Sequence, residues 1–192
     1  MGHSYTDIKD LLGLMGCCHP GALSDLSEFT DWAEREVMQG NSSEKLLILA
    51  SLGLDKEIDK EEVITWFRAY LNEAGISEPH GLESSLLYCR RNIKMIAYSG
   101  SEDAAFRSLD DHFSWWYDAP ASMLSRIISY WRSVFDDFVR NDFDSDHEPY
   151  FECAVHMNIP VSEHGKYIIS TARRFLRIFD EPYYYALLLR SN

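Results

Sequence analysis

The feature that most constrains the fold of this chain is a long amphipathic stretch, Ala119–Arg140. Its apolar residues recur at three- and four-residue steps, which is the spacing of one helical face. They are Met123, Leu124, Ile127, Ile128, Trp131, Val134, Phe135 and Phe138. Pro120 occupies a first-turn position, where a missing backbone N–H breaks no helical hydrogen bond. A helix of about 20 residues spans roughly 30 Å, so the stretch predicts a long helix whose wide apolar face is covered by other helices.

The rest of the chain has the same character. Segments of helical period begin at Ser or Asp residues and end at Gly or Pro residues. The predicted helices are Asp7–Met15, a segment from Ser24 to Gly40, Glu44–Leu52, Asp59–Ala74, Leu82–Tyr98, a segment opened by Ser101, a short helix from Pro149, a helix capped by Ser162, and Tyr183–Arg190. We therefore predict an all-α fold, a single domain over residues 1–192 built as an irregular antiparallel array of about nine helices.

Two of these segments carry specific expectations about burial. Glu44–Leu52 is apolar nearly all round, so we expect it to lie at the centre of the core. Leu82–Tyr98 has an apolar stripe, and we expect Arg90, Arg91 and Lys94 to point outward from it.

Composition limits the class of protein. The chain has 192 residues and 46% hydrophobic content, which is enough to form a core without disulfides or metals. No apolar run approaches the roughly 20 residues of a membrane span, and no basic-then-apolar leader opens the sequence. We expect a cytoplasmic protein with four free cysteines. The net charge of −13 disfavours nucleic acid and anionic membrane surfaces as partners.

Negative charge is concentrated in one part of the sequence. The segment from Glu102 to Glu152 contains twelve acidic residues and only four basic ones. The predicted partner-binding residues are Asp136, Asp137, Asp142, Asp144, Asp146, Glu148 and Glu152. We interpret them as a docking surface for a basic protein, since complementary charge steers association. A merely solvated acidic face is the alternative interpretation.

Part of this segment has the form D-x-D-x-D, which is typical of the start of a calcium loop. Asp142, Asp144 and Asp146 would be its first three ligands. An EF-hand also requires Gly at the sixth loop position and Glu at the twelfth. His147 and Cys153 stand there instead, so the pattern does not predict a specific calcium site.

A metal-dependent hydrolase is the alternative function, because His and Asp side chains together ligate divalent ions. Its ligands would be Asp110, Asp111, His112, Asp146 and His147. A structural histidine beside the buried face of its helix is the competing interpretation of His112. The sequence contains no phosphate-binding glycine loop and no nucleophile motif, and we predict a non-enzymatic protein without cofactor, metal or catalytic residues.

A run in the second quarter of the chain resembles small acidic all-helical bacterial proteins of the toxin-immunity type. The run consists of Asp31-Trp32-Ala33, Gly40-Asn41, Leu47–Leu52, and Glu62-Val63 through Phe67 and Leu71 to Gly75-Ile76. The resemblance implies an inhibitor that occludes the basic active cleft of a nuclease-type toxin, and the acidic segment would then replace the nucleic-acid phosphates. An inhibitor of a host defence complex, of the kind that phages encode, would use the same acidic surface. The neighbouring genes distinguish these two partners.

Overall fold

The computed structural model of the protein describes residues 6–16, 23, 25–113, 123–140 and 159–190. These residues form nine α-helices and no strand. The helices are α1 (Ile8–Gly16), α2 (Ser27–Met38), α3 (Glu44–Leu52), α4 (Lys60–Ala74), α5 (Leu82–Ala97), α6 (Glu102–Phe113), α7 (Met123–Phe135), α8 (His164–Asp180) and α9 (Pro182–Arg190). The predicted all-α class is confirmed.

Contacts divide the chain into two compact units, with the boundary after Tyr88, inside α5. We call Tyr5–Tyr88 the N-terminal unit, and the described residues from Cys89 onward the C-terminal unit. The prediction of a single domain stays a prediction.

The N-terminal unit is built around α2, α3 and α4. Helix α3 packs against both α2 and α4. Phe29 and Phe67 meet edge to face with ring centroids 5.1 Å apart, and Trp32 approaches Phe67 in the same way at 5.6 Å. Such edge-to-face pairs stabilise a core beyond the burial of their area. These three aromatic side chains therefore fix how α2 packs on α4.

Local sequence determines where α4 begins and ends. The Asp59 carboxylate accepts a hydrogen bond from the Glu62 backbone N–H at 2.9 Å, as an N-cap residue does. Gly75 follows the helix at φ 67°, a left-handed conformation that favours glycine. The Ile76 N–H then closes the end by donating to the Leu71 carbonyl at 2.9 Å. Both predicted ends of this helix are confirmed.

Helix α1 lies close to the first half of α5 at a glycine. A Cβ atom at Gly13 would come within 2.7 Å of the backbone of Leu87 and Tyr88. Only a residue without a side chain permits this approach.

In the C-terminal unit, α6 packs against α7 and α8, and α9 packs against α8. Phe113 stacks on Trp131 with centroids 5.7 Å apart, and both side chains are fully buried. The predicted long helix ends differently from expectation. Its α-helical part stops at Phe135 and continues as a π-helical turn, Asp136–Arg140. The predicted beginning of this helix lies outside the described residues.

The expectation that Arg90 and Lys94 point outward is wrong. Their exposed fractions are 5% and 9%. The Arg90 Nε–H donates to the Asp180 carboxylate at 2.8 Å, and the Arg173 Nε–H donates to the Ala97 carbonyl at 3.0 Å. These two contacts place α8 antiparallel to the second half of α5. Helix α8 thus supplies a carboxylate partner for Arg90, which the apolar stripe of α5 alone did not reveal.

The expectation for Glu44–Leu52 is only partly right. Leu46 and Leu49 are fully buried, whereas Leu47 is 50% exposed. An apolar residue on every side of a short helix thus does not imply that every side is covered.

Candidate functional site

The structure describes two of the seven residues predicted to bind a partner. Asp136 and Asp137 lie in the π-helical turn that follows α7, and both are half-buried. The Arg132 Nε and an Asp136 carboxylate oxygen are 3.8 Å apart, so these residues form an i,i+4 ion pair. Neither carboxylate is fully open to solvent. The other five residues, Asp142, Asp144, Asp146, Glu148 and Glu152, lie outside the described residues, and the acidic docking surface stays a prediction.

The proposed metal ligands are described only in part. Asp110, Asp111 and His112 are consecutive residues of α6, while Asp146 and His147 lie outside the described residues. Consecutive residues of a helix point in different directions. Within the described part of the chain, no group of three or more His, Cys, Asp and Glu side chains is arranged to hold a metal ion.

His112 has an environment that favours the neutral imidazole. Burial, followed by the nearby Arg91 guanidinium, lowers its pKa to about 4. Both effects disfavour the charged form, because desolvation and a like charge act against a cation. A neutral imidazole can ligate a metal or accept a proton, but its half-buried position also fits the structural histidine that the sequence allowed.

The N-terminal unit contains a cleft of about 860 Å³, which sequence reasoning did not predict. We call it the Trp32 cleft. It is lined by Thr6, Asp7, Ile8, Trp32, Arg35, Glu36, Gln39, Tyr70 and Ile76. Its volume falls in the range of roughly 300–1,000 Å³ that is typical of small-ligand sites.

Helix α2 supplies one wall of the Trp32 cleft. Arg35 and Glu36 lie three and four residues after Trp32, and Gln39 lies four and three residues after them, so the four share one helical face. Helix α4 contributes Tyr70, whose ring lies edge to face with that of Trp32 at 5.5 Å. The wall therefore combines two aromatic rings with a cation, a carboxylate and an amide.

The Arg35 side chain is held against the start of the described chain. Its guanidinium donates to the Thr6 backbone carbonyl at 2.8 Å, and the Thr6 hydroxyl donates to a Glu28 carboxylate oxygen at 3.1 Å. Asp7 begins α1 by accepting from the Asp10 N–H at 3.0 Å, while Asp10 accepts from the Asp7 N–H at the same distance. This reciprocal cap fixes the second wall of the cleft.

Charge is distributed unevenly between the units. The N-terminal unit contains sixteen acidic and six basic residues. Ten of those acidic residues are exposed: Asp25, Asp31, Glu34, Glu44, Asp55, Glu57, Asp59, Glu61, Glu62 and Glu73. The cleft thus belongs to a strongly negative part of the molecule. The predicted acidic surface, which lies within residues 102–152, did not include this part.

Apolar side chains are also exposed on α9. Tyr183, Tyr184 and Leu187 are 67%, 50% and 45% exposed. Three adjacent tyrosines of one helix cannot all face inward, so exposure of at least one ring follows from the sequence itself.

Comparison of the chain with protein-family models, curated proteins and solved structures gave no match. Among the described residues, no helix combines the length and the apolar character of a membrane span.

Proposed function

We propose that this protein is a non-catalytic binding protein that inhibits a basic partner, in the manner of a bacterial immunity protein that neutralises a nuclease-type toxin. The observation that supports the proposal is the distribution of charge. Twelve acidic and four basic residues lie between Glu102 and Glu152, and sixteen acidic and six basic residues lie in the N-terminal unit. Concentrated negative charge accelerates encounter with a positive surface.

Four arginines of the described residues make contacts within the fold. Arg90 pairs with Asp180, and Arg68 pairs with Glu78 at 2.9 Å. Arg35 and Arg173 donate to backbone carbonyls. Over the whole chain, 31 acidic residues outnumber 18 basic ones, so a basic partner meets a protein of net negative charge.

The proposed docking surface comprises the seven acidic residues from Asp136 to Glu152. Its carboxylates would occupy the positions of nucleic-acid phosphates in the active cleft of the toxin. An inhibitor of a host defence complex is the second partner class that fits the same chemistry, and gene neighbourhood separates the two.

The test is coexpression of the full chain with the protein encoded by the adjacent gene. We expect rescue of growth, copurification, and binding that weakens as salt rises, because screening removes steering between exposed charges. The variant Asp142→Asn/Asp144→Asn/Asp146→Asn should bind roughly tenfold more weakly.

The matched control is Asp55→Asn/Glu57→Gln/Glu61→Gln, which changes net charge by the same amount at exposed positions of the N-terminal unit. It should weaken binding less than about twofold, because it leaves the seven docking carboxylates in place. Equal affinity of both variants and the parent chain would refute the electrostatic surface. Absence of both rescue and binding would refute the immunity function.

A further inference from the structure

The Trp32 cleft offers a specific contact to the same basic partner. We propose that it binds a short segment of that partner, with an arginine or lysine side chain lying along Tyr70, next to the small exposed part of Trp32, and its cationic group beside Glu36. This inference rests on the proposed function in taking the partner to be a basic protein, and it identifies the segment that the partner inserts.

The aromatic wall is suited to the stem and head of a basic side chain. Trp32 and Tyr70 lie edge to face, with their ring centroids 5.5 Å apart and their planes at 65°. The Trp32 ring packs edge to face against Phe67, and only 4% of the Trp32 surface is exposed. The ring accessible to a cation is therefore that of Tyr70, which is half-buried. A cation over this ring is attracted by its quadrupole, and the methylene stem packs on apolar surface.

Glu36 supplies the complementary charge. It stands one helical turn after Trp32, on the same face of α2, and lines the same cleft. No hydrogen bond or ion pair to its carboxylate comes from the described residues. Gln39, one turn further, adds an amide on this face.

The sign of the surrounding charge selects a cation rather than an anion. Arg35 also lines the cleft, and taken alone it would favour a carboxylate or phosphate. Its guanidinium donates to the Thr6 carbonyl, and it belongs to a unit with sixteen acidic and six basic residues. An anionic ligand would have to enter against that field.

The volume of the cleft indicates a segment rather than one side chain. About 860 Å³ is near the upper end of the range for drug-sized ligands. Ile8 and Ile76 are the apolar lining residues from α1 and from the residue after the α4 C-cap. They suit apolar neighbours of the basic residue in an extended segment.

The experiment is an NMR titration of the full isotopically labelled chain with the peptide acetyl-Leu-Arg-Leu-amide at low salt. The matched probe replaces arginine by citrulline, which keeps the shape and removes the charge. We expect the arginine peptide to bind roughly tenfold more tightly, the factor that a charged hydrogen bond contributes. Chemical shifts should change at Trp32, Gln39 and Tyr70 but not on α9.

Two variants of α2 sharpen the test. Glu36→Gln should weaken binding of the arginine peptide roughly tenfold. Glu34→Gln removes the same charge from an exposed position of α2 that does not line the cleft, and it should change binding less than about twofold. Equal loss in the two variants would show that the peptide senses only the overall charge, and would overturn the proposal.

Other outcomes also overturn it. They are equal binding of the citrulline peptide, shift changes that map away from the cleft, and the absence of binding at millimolar peptide. Binding of free arginine amide as tight as that of the peptide would assign the cleft to a small-molecule amine instead.

The titration uses no partner protein, so its failure is distinct from failure of the proposed function. A partner that still binds when the peptide does not would refute the cleft alone. Peptide binding without any toxin-type partner would refute the immunity function alone.

Discussion

Arg90 and Asp180 are joined across 90 residues of sequence, the Arg90 Nε–H donating to Asp180 Oδ1 at 2.8 Å. The guanidinium side chain is only 6% exposed, whereas the Asp180 side chain is 44% exposed. A nearly buried cation thus reaches a carboxylate at the end of α8. A buried charge requires such a partner, because desolvation otherwise opposes its burial.

Asp180→Asn should therefore lower the free energy of unfolding by about 1–2 kcal/mol, since the buried guanidinium loses a charged acceptor. Urea denaturation at pH 7 measures the change. Glu78→Gln is the control, because its Arg68 partner is 52% exposed and exposed ion pairs contribute little. Similar losses in the two variants would show that burial of Arg90 does not strengthen its ion pair.

Gly13→Ala should destabilise the protein by about 2 kcal/mol, because the new methyl group meets the backbone of Leu87 and Tyr88. Gly100→Ala is the control, since a Cβ there meets no atom within 4 Å. Thermal unfolding compares the two variants. A Gly13→Ala protein as stable as the control would show that α1 moves away from α5 without loss of stability, and would contradict the prediction.

His112 makes stability depend on pH. Its pKa is lowered to about 4 in the folded protein, whereas in the unfolded chain it is about 6.5. Between these values the unfolded state binds more protons, so stability falls as pH decreases from about 6.5 to 4. The loss attributable to this residue should reach about 2–3 kcal/mol at pH 4.5.

The measurement is urea denaturation at pH 7.5 and 4.5 for the parent chain and for His112→Gln. For each protein, the measured quantity is the change in the free energy of unfolding between pH 7.5 and pH 4.5. The variant retains the contribution of the carboxylates, so the difference between the two changes is due to the histidine. An identical change in the free energy of unfolding for both proteins would show that His112 is protonated as readily in the folded state as in the unfolded chain.

Cys89 should resist thiol reagents in the folded protein. It is a free, fully buried cysteine, and burial raises the pKa of its thiol. The thiolate is the reactive form, so alkylation at pH 8 should be at least roughly a hundredfold slower than in urea. Peptide mass spectrometry reads modification at this residue separately from the other cysteines. Rapid native labelling of Cys89 would contradict its burial.

The sequence predicted helices well where their ends are encoded locally. The predicted cap at Ser162 is wrong, because Ser162 lies in a 3₁₀ turn and α8 begins at His164 without a side-chain cap. Asp59 and Gly75 bound α4 through their own backbone preferences and hydrogen bonds. Ser101 likewise accepts from the Ala104 N–H at 3.1 Å at the start of α6. Such signals need no knowledge of tertiary structure.

Burial was predicted less well where packing partners decide it. Arg90 and Lys94 follow the spacing of an outward face, yet both are buried, and α8 supplies Asp180 as the partner of Arg90. Leu47 is apolar and half-exposed. Periodicity identifies the face that must be buried, but it does not identify a second face that a neighbouring helix covers.

The Trp32 cleft could not be predicted because its lining comes from four separate parts of the sequence. Only Trp32, Arg35, Glu36 and Gln39 form a local pattern, on one face of α2. Tyr70 reaches the cleft from α4 only after that helix has packed. An aromatic residue followed by polar ones on the same face was the one signal available.

Trp32 packs against Phe67 in the core and also lines the cleft with the small part of its surface that is exposed. A molecule bound in the cleft contacts the Trp32 ring, and the position of this ring also determines how α2 packs on α4. A bound molecule would therefore make the N-terminal unit more rigid, and the indole of Trp32 would report whether the cleft is filled.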